Sequence, residues 1–139
     1  MAARKIDTRH VPRDEFAARL KNARDRLAAV ERELAAGAYD PALVLAVQAA
    51  IAASDAFTIF HLGERSAAGR HLDALSVFAR VTGVPGFEDA RKHLSRLLQE
   101  KFSIEYSGEA LKPKEVESLV EHARRFLAWV VKRLPEEKR

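Results

Sequence analysis

Asp55, Arg65, Arg70, His71, Lys101 and Tyr106 are the side chains whose types and spacing suit the handling of a phosphate. An arginine fork meets two phosphate oxygens at once, and a lysine offers a compact point charge. An imidazole titrates near neutrality and can give or take a proton. Arg65 and His71 stand with five residues between them, and Arg4 and His10 repeat that spacing in a polar stretch at the start of the chain. With 24 Lys and Arg and 5 His, one such repeat arises by chance, and Arg4 with His10 is set aside. Arg65, Arg70 and His71 gather where a helix is expected to begin. Free N–H groups and the positive end of the helix dipole would add to their affinity for an anion. The competing reading is a solvated turn carrying basic residues. Arg65 and His71 are the one pair offered for catalysis; no other catalytic residue is assigned.

Asp55 poses a different question. It falls inside a strongly apolar stretch, with Ser54 and Thr58 as its polar company. A buried carboxylate is costly unless it is paired or hydrogen-bonded, and Arg65, His71, Lys101 or Tyr106 from neighbouring helices could satisfy it. Three readings stay open: a shared polar pocket, a network that fixes helix register, and an aspartate that reaches solvent.

Other chemistries are poorly served. The chain has no cysteine, which excludes disulfides, thiol nucleophiles and Cys-ligated zinc. It lacks a glycine-rich phosphate loop, a His-Glu-x-x-His zinc motif and the Glu-x-x-His pair of di-iron bundles. His122 follows Glu121 directly, and adjacent helical residues do not converge on one ligand. No metal and no cofactor is expected. Phe126 and Trp129 read as core or dimer contacts rather than as a platform for stacked bases.

The elements that must position these residues are helical. Phe16, Leu20, Ala23, Leu27, Val30 and Leu34 recur by fours and threes, which predicts a helix over 12–36 with Pro12 in its first turn and Gly37 past its end. Asp40-Pro41 predicts an N-cap and first residue for a second helix, reaching about Phe60 before Gly63. It is apolar on most sides, as a central bundle helix must be. A third helix is expected from Ser66 or Arg70 to just before Gly83, and a fourth over 87–106. A fifth follows Lys112-Pro113 and ends at Pro135, with Val116, Leu119, Val120, Ala123, Phe126, Leu127, Val130 and Leu134 forming a broad stripe. No run alternates with the period of a strand. The expected fold class is all-α: an up-and-down bundle of four to five helices. Residues 1–11 are expected as a flexible arm, 12–134 as one domain and 135–139 as a loose tail.

With 139 residues, 47% hydrophobic and 32% charged, the chain can bury one continuous core. The net charge of +4 permits contact with nucleic acid without requiring it, since most basic residues alternate with acidic ones. The start lacks the apolar core of a signal peptide, and the run over 43–53 is too short to cross a bilayer. A cytoplasmic protein with no membrane partner is the expectation.

Two segments carry a family resemblance. One is Ala49-Ala-Ile-Ala-Ala-Ser-Asp-Ala56, followed by His61-Leu-Gly-Glu-Arg-Ser66 and His71-Leu72. The other is Leu98-Gln-Glu-Lys-Phe-Ser-Ile-Glu-Tyr-Ser-Gly108, followed by a helix containing Ala123-Arg-Arg-Phe-Leu-Ala-Trp-Val130. Together they resemble the HEPN family of small all-α domains over residues 40–134. Many members bind or cut RNA, and the cutting members pair an Arg and a His across a dimer. The positions matching that pair hold Lys101 and Glu105, with Phe102 where a polar residue is usual. Lys101 can still hold a phosphate, but an ionised Glu105 repels it and cannot stand in for a cationic imidazole.

The resemblance therefore implies a nucleotide- or RNA-binding module without ribonuclease activity. It further implies a homodimer and a nucleotidyltransferase or toxin–antitoxin partner. The breadth of the apolar faces on the second and fifth helices also prompts the homodimer expectation. A dimeric interaction scaffold with no nucleic-acid role is the alternative. A metal-independent ribonuclease working through Arg65 and His71 is the third reading.

Overall fold

The computed structural model describes residues 8–67, 71–107 and 111–135, with the side chains of 71–72 and 101–107 outside the description. Five α-helices follow one another: α1 Phe16–Ala35, α2 Tyr39–Leu62, α3 His71–Phe78, α4 Phe87–Ser107 and α5 Pro113–Lys132. The all-α bundle read from the periodicity is the observed architecture. α2 lies at its centre, packed against all four other helices and most extensively against α1.

The reason is compositional. Fourteen residues of α2 are buried, and seven of them are alanine: Ala42, Ala46, Ala49, Ala50, Ala52, Ala53 and Ala56. Small side chains let neighbouring helices approach closely, while Leu43, Val47, Phe57 and Ile59 supply the bulk. α2 is the one helix among the described residues long and apolar enough to span a membrane, longer than the run over 43–53 implied. Its most apolar window is 72% buried inside the bundle, as a core helix must be.

The seam expected on α1 faces inward, with Leu20, Ala23 and Val30 buried and Phe16, Leu27 and Leu34 packed beside them. All eight stripe positions of the fifth helix region, Val116 through Leu134, are buried. The surplus apolar surface that prompted a homodimer is thus consumed within the chain. Val44 is the one large hydrophobic residue left exposed among the described residues.

Several boundaries differ from expectation. Pro12 opens a 3₁₀ turn, Arg13–Glu15, before α1. α2 starts one residue before Asp40, which becomes a first-turn acid beside the helix dipole rather than the N-cap. α3 ends at Phe78, where Arg80 N–H and Val81 N–H turn back to the carbonyls of Val77 and Phe78 (3.1 and 3.2 Å) and tighten the chain.

Part of the segment expected as a flexible arm is paired. Thr8–His10 forms β1, antiparallel to β2, Glu64–Ser66, in the register Thr8↔Ser66, Arg9↔Arg65 and His10↔Glu64. Ser66 therefore belongs to a strand and does not open a helix. Gly63 creates the turn: at φ 67° it leaves α2 in the left-handed region, and its carbonyl accepts Val11 N–H at 2.9 Å. Strands this short give no alternating run for a sequence to display.

An aromatic cluster holds the far end of α2 to α3, α4 and α5. Phe78 meets Phe57, Phe87, Phe126 and Trp129, with ring centroids 4.9 to 5.9 Å apart. Beside it, the Pro85 carbonyl accepts Trp129 Nε1–H at 3.0 Å and both Nε–H and an Nη–H of Arg133, at 3.1 and 2.9 Å. Gly86 follows at φ 77°, and a Cβ there would stand 2.8 Å from Trp129 Nε1.

Gly86→Ala is expected to destabilise the domain by about 1–3 kcal/mol through backbone strain and displacement of the Trp129 ring. Gly83 has φ 75° with nothing within 4 Å of a built Cβ, so Gly83→Ala should show the strain alone. Urea unfolding of the two variants checks this; equal losses would show that the ring contact contributes nothing.

Candidate functional site

The polar interruption of α2 is buried as a block: Ser54 is 1%, Asp55 8% and Thr58 1% exposed. The Thr58 hydroxyl donates to the Asp55 backbone carbonyl at 3.3 Å, one turn back, which satisfies Thr58 locally. The Asp55 carboxylate makes no hydrogen bond or ion pair among the described residues. Burial raises its pKa from the ordinary 3.8 to about 6, and the positive charges of Arg65 and Arg19 pull the other way without cancelling the rise.

The positive charge of Arg65 acts on this carboxylate from β2 rather than from the start of α3. One Nη donates to the Ser66 carbonyl at 3.0 Å, and Nε is buried with no hydrogen-bond partner. β2 is tied down beside it: Arg80 reaches Glu64 at 3.2 Å, and His10 lies 3.7 Å from the same carboxylate. β1 sets Arg9 opposite Arg65 in the register, so two arginines share one position of the ribbon. Like charges placed opposite each other are unfavourable unless something anionic answers them.

Asp55 and Arg65 are thus brought together, with Arg19 of α1 as a third member that the sequence did not single out. Its signal was absent because Arg19 reads as one more cation on the exposed side of an amphipathic helix. Arg70 lies outside the described residues. His71 is the first residue of α3, and Lys101, Glu105 and Tyr106 lie on α4; the side chains of these four are outside the description. Asp55 is buried as a residue, at 8% exposure, and the His71, Lys101 and Tyr106 side chains named as its possible partners lie outside the described residues.

A second group of ionisable residues lies elsewhere. His93 of α4 and His122 of α5 face each other with Nδ1 atoms 2.8 Å apart. His61, at the end of α2, lies tilted against Phe57 and edge-on to Phe60, and its Nε2 is buried without a partner among the described residues. Burial pushes its pKa below the ordinary imidazole value. No three His, Asp or Glu side chains gather at metal-binding spacing among the described residues.

The bundle built around α2 can now be set beside the known families. The HEPN domain model matches residues 16–134, nearly the whole bundle, and the chain belongs to the HEPN family. No curated protein and no solved structure matches it.

Folded Asp55 binds a proton more tightly than unfolded Asp55, so its contribution to stability is complete below pH 3.8 and is lost as pH rises through about 6. A shift from 3.8 to about 6 corresponds to about 3 kcal/mol. Asp55→Asn should therefore stabilise the domain by roughly that amount at pH 8 and by little near pH 4. Paired urea titrations of the two proteins read the difference, and an Asn variant weaker than the parent at pH 8 contradicts it.

Proposed function

We propose that this HEPN domain binds RNA or a nucleotide through the face where Arg65, Arg19 and Asp55 meet, and that it does not cut RNA. The observation that carries the reading is Asp55, a buried acid with no hydrogen bond from its carboxylate among the described residues, which feels the positive charges of Arg65 and Arg19. An arrangement that lowers stability without serving packing is what binding sites retain. Arg65 supports it with a buried Nε that finds no partner among the described residues. A phosphate would neutralise Arg65 and Arg9, while a donor from sugar or base would answer Asp55.

The absence of cleavage rests on Lys101 and Glu105 at the positions where the family's ribonucleases carry Arg and His. A lysine holds a phosphate with poorer geometry, and a carboxylate opposes the charge that develops during cleavage. In this reading the domain acts in the cytoplasm as a homodimer beside a nucleotidyltransferase or another toxin–antitoxin component, as HEPN proteins often do. The scaffold alternative lacks a role for the unbonded charges.

Binding of a single-stranded RNA should weaken as salt rises. Arg65→Ala should lower the slope of log K against log salt by about 1. Fluorescence anisotropy across a salt series measures this, and salt-independent or undetectable binding overturns the reading. RNA cleavage that disappears in His71→Ala would instead establish a nuclease centred on Arg65 and His71.

A further inference from the structure

The pair His93 and His122 joins two helices that are otherwise held together by apolar contacts, and neither ring belongs to the Asp55–Arg65 face. At 2.8 Å between Nδ1 atoms, one ring must donate its N–H and the other must accept it with a bare nitrogen. That arrangement exists only while at least one ring is neutral at Nδ1. A second proton would place two N–H groups and two positive charges head to head, which nothing at this distance allows.

We propose that His93 and His122 form a proton-operated clasp: neutral, they fasten α4 to α5, and protonation of both releases the contact. The charged groups acting on the rings come from both helices. Asp89 and Arg96 stand on α4, and Glu121 and Arg125 stand on α5. The two acids favour the protonated rings, but Glu121 is engaged by Arg124 and Arg125, and Arg96 pairs with Glu100. The balance holds both rings neutral. Burial is the first cause of the lowered affinity for protons at each ring. Arg125 comes next for His93, and the neighbouring imidazole comes next for His122.

Because both rings bind protons less readily folded than unfolded, the clasp contributes fully above the ordinary imidazole value near 6.5 and is lost as pH falls below it. This is opposite in sign to Asp55. α4 continues past His93 to Ser107 and carries Lys101 and Glu105 on the way. Release of the clasp would therefore loosen the helix that bears the family's motif positions. The proposal is independent of whether the domain binds RNA.

The test follows the imidazole resonances of the full chain by NMR from about pH 8 down to about pH 5, the range in which histidine charge changes. The expected result is two coupled titration steps, both below the ordinary value, and an upward move of the His122 midpoint in His93→Gln. Amide hydrogen exchange in α4 should accelerate at the acid end in the parent and show no such step in the double variant H93Q/H122Q. Two independent titrations with a His122 midpoint unmoved by His93→Gln would overturn the clasp. So would α4 exchange that responds to acid equally in the parent and the double variant.

Discussion

Everything in this domain is arranged around one largely buried helix. α2 is surrounded by α1, α3, α4 and α5, and almost every side chain it carries must be small, apolar or internally satisfied. Its alanines let the neighbours close in, and its phenylalanines join an aromatic cluster centred on Phe78. In such a helix a polar residue has two choices. Thr58 and its kind can donate back to a backbone carbonyl, but an ionised aspartate has no proton to give it.

That constraint gives Asp55 its meaning. Burial makes the ionised carboxylate expensive, and the fold supplies charges nearby without supplying a hydrogen bond. The result is an acid whose proton affinity lies within the physiological range and an arginine whose Nε is unused. Packing alone would be better served by alanine at this position, as the neighbouring Ala52, Ala53 and Ala56 show.

Much of the architecture was legible in the residues. The apolar seam of α1, the stripe of α5, the turns at Gly37 and Gly63 and the start at Pro113 each follow from a local rule of spacing or backbone freedom. The misreadings were also local. The pairing of Thr8–His10 with Glu64–Ser66 escaped because three-residue strands leave no periodic trace. Ser66 was placed at a helix start because a serine ahead of an apolar run is an ordinary cap. Arg19 and His93 were passed over, since a surface cation and a lone histidine on amphipathic helices carry no distinguishing pattern.

The sequence by itself determined the helices, the centrality of α2 and the family to which the chain belongs, because these depend on short-range periodicity and on motifs read along the chain. It also determined what stands at positions 101 and 105. Only the tertiary structure decided which charges meet: that Arg65 and Arg19 approach Asp55, and that His93 finds His122 across 29 residues. Those encounters depend on how helix faces rotate and which segment crosses which end of the bundle. Such relations are fixed by packing the whole core at once, not by any window of neighbouring residues.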